Sequence, residues 1–140
     1  MNLTRRKLLA VGAGTAAFAS FAAMPTFASV ADDAMAEFTG GAAVQDGGLE
    51  LTAPEIAENG NTVPVGVEAA GAVEIAVFAT GNPTPKVATF KFGPLNPTQS
   101  ASTRMRLAKT QDVVAIAKMA DGTFRKTSST VKVTIGGCGG

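Results

Sequence analysis

The chain has 140 residues, with 12 Lys and Arg against 11 Asp and Glu and no His, Trp or Tyr, a length that suits one domain. Without histidine there is no Ser-His-Asp triad, no Cys-His pair and no imidazole metal ligand. A single cysteine allows no intrachain disulfide or thiolate metal cluster, and the scattered carboxylates form no acid–base motif.

Residues 1–31 read as an export signal. Thr4-Arg5-Arg6-Lys7-Leu8-Leu9 resembles the twin-arginine pattern, a receptor-read bacterial address in which Arg5 and Arg6 are the recognised pair. From Leu8 to Met24 the chain is apolar but mostly Ala and Gly, and Pro25 then breaks it. Small residues suited to cleavage follow, with the cut expected after Ala28 or Ala31. The alternative, a membrane anchor, needs roughly 20 strongly apolar residues, which this stretch does not supply. Loss of the segment leaves 9 basic residues (12 less Arg5, Arg6 and Lys7) against 11 acidic ones, a net charge of −2. That balance, with no basic stripe and few aromatics, gives no nucleic-acid surface. The expected location is the bacterial periplasm, which oxidises thiols.

Residues 32–48 are expected to form a short helix over Asp32–Phe38, with Ala34, Met35 and Phe38 as its apolar side, and a glycine-marked loop. From Leu49 onward the pattern is short alternating strands separated by turns. Leu49 and Leu51 alternate until Pro54 interrupts, and Asn59-Gly60 marks a turn. Val63, Val65 and Val67 alternate, as do Val73, Ile75 and Val77 after Gly71. Val87–Phe92 places Ala88, Phe90 and Phe92 on one face, and in Ser102–Leu107 the apolar Met105 and Leu107 alternate with arginines. Asp112–Met119 is almost continuously apolar, as a central strand buried on both faces requires. Asp121-Gly122 turns the chain into Thr123–Thr127 and then Val131–Ile135, with Val131, Val133 and Ile135 inward. About seven short strands without intervening helices predict an all-β, immunoglobulin-like antiparallel β-sandwich over 49–135, with a half-open barrel as the competing architecture.

The chain closes on Gly136-Gly137-Cys138-Gly139-Gly140. Four glycines around one cysteine have no side chains to pack and the largest backbone freedom to lose, so residues 136–140 are expected to be a flexible arm carrying an exposed thiol. Three residues past Ile135 give it a reach of about 10 Å. Gly136, Gly137, Gly139 and Gly140 would let a narrow active-site channel admit the arm. No local cation or helix N-terminus is expected to activate the thiol, so Cys138 reads as a covalent attachment site that a partner enzyme activates. A free exported thiol without a use would invite dimerisation and overoxidation. A disulfide tether to another chain, or a self-sufficient thiol oxidoreductase, are the competing readings of the same cysteine.

This tail closely resembles the C-terminal motif of the SoxY family, sulfur carriers of the periplasmic thiosulfate-oxidising Sox system. The resemblance extends through Thr103-Arg104-Met105-Arg106-Leu107-Ala108-Lys109-Thr110-Gln111, Val113–Ala117, Ala120-Asp121-Gly122 and Val131–Ile135. It implies a non-enzymatic carrier whose Cys138 holds a covalent sulfur adduct of S-thiosulfonate or persulfide type, with no metal or other cofactor. It also implies a heterodimer with SoxZ, and transient contacts with the haem enzyme SoxAX, the hydrolase SoxB and, where present, the sulfane dehydrogenase SoxCD.

Overall fold

The computed structural model describes residues 27–136. Helix α1 (Phe27–Thr39) is followed by nine strands: β1 (Val44–Asp46), β2 (Glu50–Thr52), β3 (Ile56–Ala57), β4 (Val63–Glu68), β5 (Ala72–Ala79), β6 (Lys86–Lys91), β7 (Ser100–Met105), β8 (Gln111–Met119) and β9 (Phe124–Val133). They form two sheets, one of six strands in the order β1-β9-β8-β5-β6 with β3 also on β9, and one of three in the order β2-β4-β7. The sandwich expected from the strand pattern is present. It is not purely antiparallel, because β1 and β3 run parallel to β9 along one edge, at Phe124–Lys126 and Lys132–Val133.

Alternation decides what lies between the sheets. Val63, Val65 and Val67 of β4 are buried against Ile75 and Val77 of β5, Val113, Ala115 and Ala117 of β8, and Leu107 and Val131. The other face of the large sheet presents Ala76, Phe78, Val114, Ile116 and Phe124 to Ala34, Met35 and Phe38 of α1 and to Val44 of β1. Phe38 meets Phe78 and Phe124 edge to face at 6.1 and 6.0 Å between centroids, a geometry the ring quadrupoles favour. Strand β8 thus buries alternate residues in two different cores, as its continuous apolar run predicts.

Several elements differ from the sequence reading. Helix α1 starts at Phe27, five residues ahead of the expected Asp32, and carries a buried Ala31. It ends where Gly40 and Gly41 take φ of 64° and 79° and the Gly41 N–H closes on the Ala36 carbonyl at 3.2 Å. The last two expected strands are one, because Ser128, Ser129 and Thr130 stay in register with Val114, Val113 and Asp112. The Thr130 hydroxyl also donates to Asp112 Oδ1 at 2.5 Å. Ile135 does not face inward: β8 begins at Gln111 opposite Val131, so β9 runs out of that partner, ends at Val133, and leaves Ile135 67% exposed. In β6 a register shift beside Val77 and Phe78 brings Val87, rather than Ala88, to the core with Phe90 and Phe92.

Two outcomes follow for stability. Leu107 is fully buried, so Leu107→Ala should cost about 3 kcal/mol in urea unfolding through lost transfer energy and the cavity left behind. In the β8–β9 turn, Asp121 accepts bonds from the Thr123 hydroxyl at 2.6 Å and from its N–H at 2.9 Å, which lower the carboxyl pKa below its ordinary value. Bonding to the charged form stabilises the fold above the ordinary carboxylate pKa, and that contribution is lost as pH falls through the lowered one. Asp121→Ala should therefore flatten the acid limb of the stability profile, measured by unfolding between neutral pH and pH ~3.

Candidate functional site

Residues 137–140, and with them Gly137, Cys138, Gly139 and Gly140, lie outside the described residues, as do Arg5 and Arg6. The structure describes the root from which the tail departs. That root is held by backbone bonds on several sides. The Val133 N–H donates to the Thr110 hydroxyl at 2.9 Å. The Thr134 N–H reaches the Ala57 carbonyl at 3.1 Å, and its hydroxyl reaches the Glu58 carbonyl, also at 3.1 Å. The Ile135 carbonyl accepts from the Gly60 N–H at 2.7 Å.

Gly60 belongs to the turn that Asn59 initiates, its side chain accepting from the Asn61 N–H at 3.0 Å. This Asx turn leaves both polar groups of Gly60 free to act elsewhere. While its N–H binds Ile135, its carbonyl accepts from the Leu107 N–H at 2.7 Å. One buried glycine therefore joins the end of the chain to the Arg106–Thr110 loop between β7 and β8.

That loop also touches the root directly. A Cβ placed on Gly136 would collide with the Ala108 carbonyl oxygen, a backbone atom that cannot swing aside. Gly136 was expected to serve flexibility; at its described position the absence of a side chain answers a requirement for space. The loop is basic, with exposed Arg106 and Lys109 on either side of Leu107 and Ala108, so the root lies beside cations that the tail does not contain.

The outer face of the three-stranded sheet carries a groove of about 810 Å³ lined by Thr52, Pro54, Pro64, Gly66, Ser102 and Arg104. Its lining contains no cysteine and no carboxylate. Among the described residues no group of three or more Cys, Asp or Glu could hold a metal ion, and no helix is long and apolar enough to cross a membrane. What could not be read from the sequence is the meeting of Gly60, Ala108 and Gly136, which only the tertiary fold brings together. The one local signal was the Asn59-Gly60 turn.

A family model described as sulfur oxidation protein SoxY matches residues 35–138, ending on the cysteine. Among solved structures, the sulfur carrier protein SoxY from Chlorobium limicola f thiosulfatophilum is similar at 39% identity, covering 74% of this chain and 96% of that one with a TM-score of 0.66. A superoxide reductase (neelaredoxin) from Ignicoccus hospitalis shares the fold at 16% identity, covering 62% of this chain and 80% of that one, TM-score 0.55. A hypothetical protein from Pyrococcus horikoshii OT3 does so at 12% identity, covering 69% and 98%, TM-score 0.52. A comparison with curated proteins finds no match.

The close approach at the root predicts a local effect. Gly136→Ala should push Ile135 and Gly136 away from Ala108 and speed hydrogen exchange at the Gly60 and Leu107 amides. Amides of β5 and β8 should keep their protection, since the two cores are untouched.

Proposed function

The chain belongs to the SoxY family of sulfur oxidation proteins, and on that premise we propose that it holds thiosulfate-derived sulfur covalently on Cys138 and presents it to partner enzymes. As a family member it is a carrier and not an enzyme. The observation that carries the reading is the family match, which spans 35–138 and so takes in the whole sandwich, the clamped root and the cysteine.

The proposed chemistry is performed on the thiol by others. In loading, the Cys138 sulfur and the outer sulfur of thiosulfate form an S–S bond, releasing the thiol proton and two electrons, which a haem enzyme of the SoxAX type accepts. Water then attacks the terminal sulfone, catalysed by a SoxB-type hydrolase, giving sulfate and leaving a persulfide on Cys138. A SoxCD-type dehydrogenase, where present, oxidises that sulfur further. Because these steps require entry into foreign active sites, Gly137, Gly139 and Gly140 are proposed to keep the arm slim and mobile. SoxZ is the proposed stable partner. The strands at the rims, β6 and β7, each pair on one side among the described residues, which leaves sheet edges for such a contact.

Residues 1–31 are proposed as a twin-arginine signal that sends the protein, folded, to the periplasm. Helix α1 favours one of the two cleavage sites: a cut after Ala28 retains the buried Ala31 within the helix, whereas a cut after Ala31 removes it. With the cut after Ala28 the mature chain would begin within helix α1, the sandwich would take in β1 ahead of the expected 49–135 unit, and 136–140 would be the arm.

Incubating the exported protein with thiosulfate and a Sox extract, then measuring intact mass, tests the attachment. The wild type should gain a thiosulfate-derived mass on Cys138, and Cys138→Ser should fold and gain none. Gly137→Val and Gly139→Val should fold normally but load more slowly. A stable disulfide dimer in place of the adduct would instead identify a tether. The mass of the exported protein also reports the cleavage site, with Ser29 expected first.

A further inference from the structure

Two of the three buried polar side chains among the described residues, Asn82 and Gln111, are spent on a single loop. Asn82 donates through Nδ2 to the Arg106 carbonyl at 2.7 Å. Its Oδ1 accepts from the Ala108 N–H at 3.0 Å and from Gln111 Nε2 at 2.9 Å. Gln111 Nε2 also donates to the Lys109 carbonyl at 3.0 Å, and Gln111 Oε1 accepts from the Gly81 N–H at 2.7 Å. A Cβ on Gly81 would sit 3.0 Å from Gln111 Cβ, so the glycine makes room for the second amide.

These bonds give every polar atom of the two side-chain amides at least one partner, in residues that are 6% and 7% exposed. Buried polar networks satisfied to this degree favour one arrangement of the backbone they bind, here Arg106 to Lys109. The same four residues contain both groups that meet the tail root, the Leu107 N–H on the Gly60 carbonyl and the Ala108 carbonyl against Gly136. The core does not need amides there, because Leu107 already anchors the loop by full burial. What the amides add is a hold on the backbone on either side of the Ala108 carbonyl, at the Ala108 N–H and the Lys109 carbonyl, and that carbonyl borders the chain as it leaves.

We propose that Asn82 and Gln111 are positioning residues that set the direction in which the cysteine arm leaves the domain, by holding the Ala108 carbonyl against Gly136. The inference rests on the reading of Cys138 as the carrier residue. A thiol two residues beyond a fixed root samples a restricted cone, and misplacing a reacting atom by about 1 Å can cost up to 100-fold in rate.

The test uses the full exported protein. Asn82→Ser removes the amide's reach to Arg106 and Ala108, and Gly136→Ala displaces the root while leaving both amides intact. In Asn82→Ser the NMR signals of the Ile135 and Gly136 amides should shift, and in Gly136→Ala those of Gly60 and Leu107, while those of Ala76 and Phe78 beneath the helix stay in place. Loading by partner enzymes should slow by about tenfold or more, whereas alkylation of Cys138 by a small reagent should keep its rate. The double variant should load no more slowly than the slower single one, because both changes break the same contact.

Unshifted Ile135 and Gly136 signals in folded Asn82→Ser would overturn the proposal, as would losses that multiply in the double variant. Gln111→Met gives the same read-out should Asn82→Ser fail to fold. Global unfolding of both would also overturn it, since the pair would then hold the whole domain. If the wild type gains no adduct, the carrier reading fails separately, and the amide signals still decide whether the network sets the root.

Discussion

The structure is organised by the burial of β8 on both faces. A strand that hides Val113, Ala115 and Ala117 on one side and Val114 and Ile116 on the other must be covered twice. The three-stranded sheet supplies one cover and helix α1 the other. With every second residue an alanine or valine, the strand admits neighbours closely, and tight packing stands in for the large aromatics the sequence lacks. Its first residue, Gln111, is also the one that turns inward with Asn82. The strand that fixes the core therefore fixes the loop preceding it, and through that loop the exit of the chain.

Legibility in the sequence followed the range of the interactions. Strands β4, β5 and β8 were readable because their alternation or continuous apolar run is a local record of which face is buried. Strands β1 and β3, of three and two residues, carry no period and exist only because β9 offers an unpaired edge. The polar run Thr127–Thr130 broke the apolar pattern within β9 and concealed its continuity. Its hydroxyl-bearing side chains alternate to the surface while the backbone ladder to β8 continues. The family was legible from the cysteine in its glycine setting, whereas Asn82, Gln111 and Gly60 looked like ordinary turn and strand-end residues. Their significance depends on pairings across 24 to 30 positions for the two amides and across 47 (107 − 60) and 75 (135 − 60) for Gly60, which no local pattern encodes.

The root and the tail divide a physical task. On the proposed reading, a cysteine that serves several enzymes must be slender enough to enter each site, a need that four glycines around Cys138 would meet at a high cost in chain entropy. Every residue of free chain widens the volume the thiol explores and lowers its effective concentration at any one site. Fixing the chain through Gly136 confines that freedom to the last residues. Backbone bonds serve this purpose better than side-chain packing would, since they hold the root without adding bulk where a partner must approach.

The same division accounts for the placement of charge. Arg106 and Lys109 lie on the loop that borders the root, and not in the tail. On the carrier reading, a cation within the tail would accompany the cysteine into every partner site and favour the thiolate everywhere. A cation on the domain acts only when the arm lies close to it, because exposed charges are screened beyond roughly 10 Å at ordinary ionic strength. On the carrier reading, an anionic sulfonate on Cys138 would be drawn toward the root between encounters and released from it on entering an enzyme. The position of the arm, set by the backbone at Gly60 and Ala108, would then decide both when the cargo is sheltered and when it is offered.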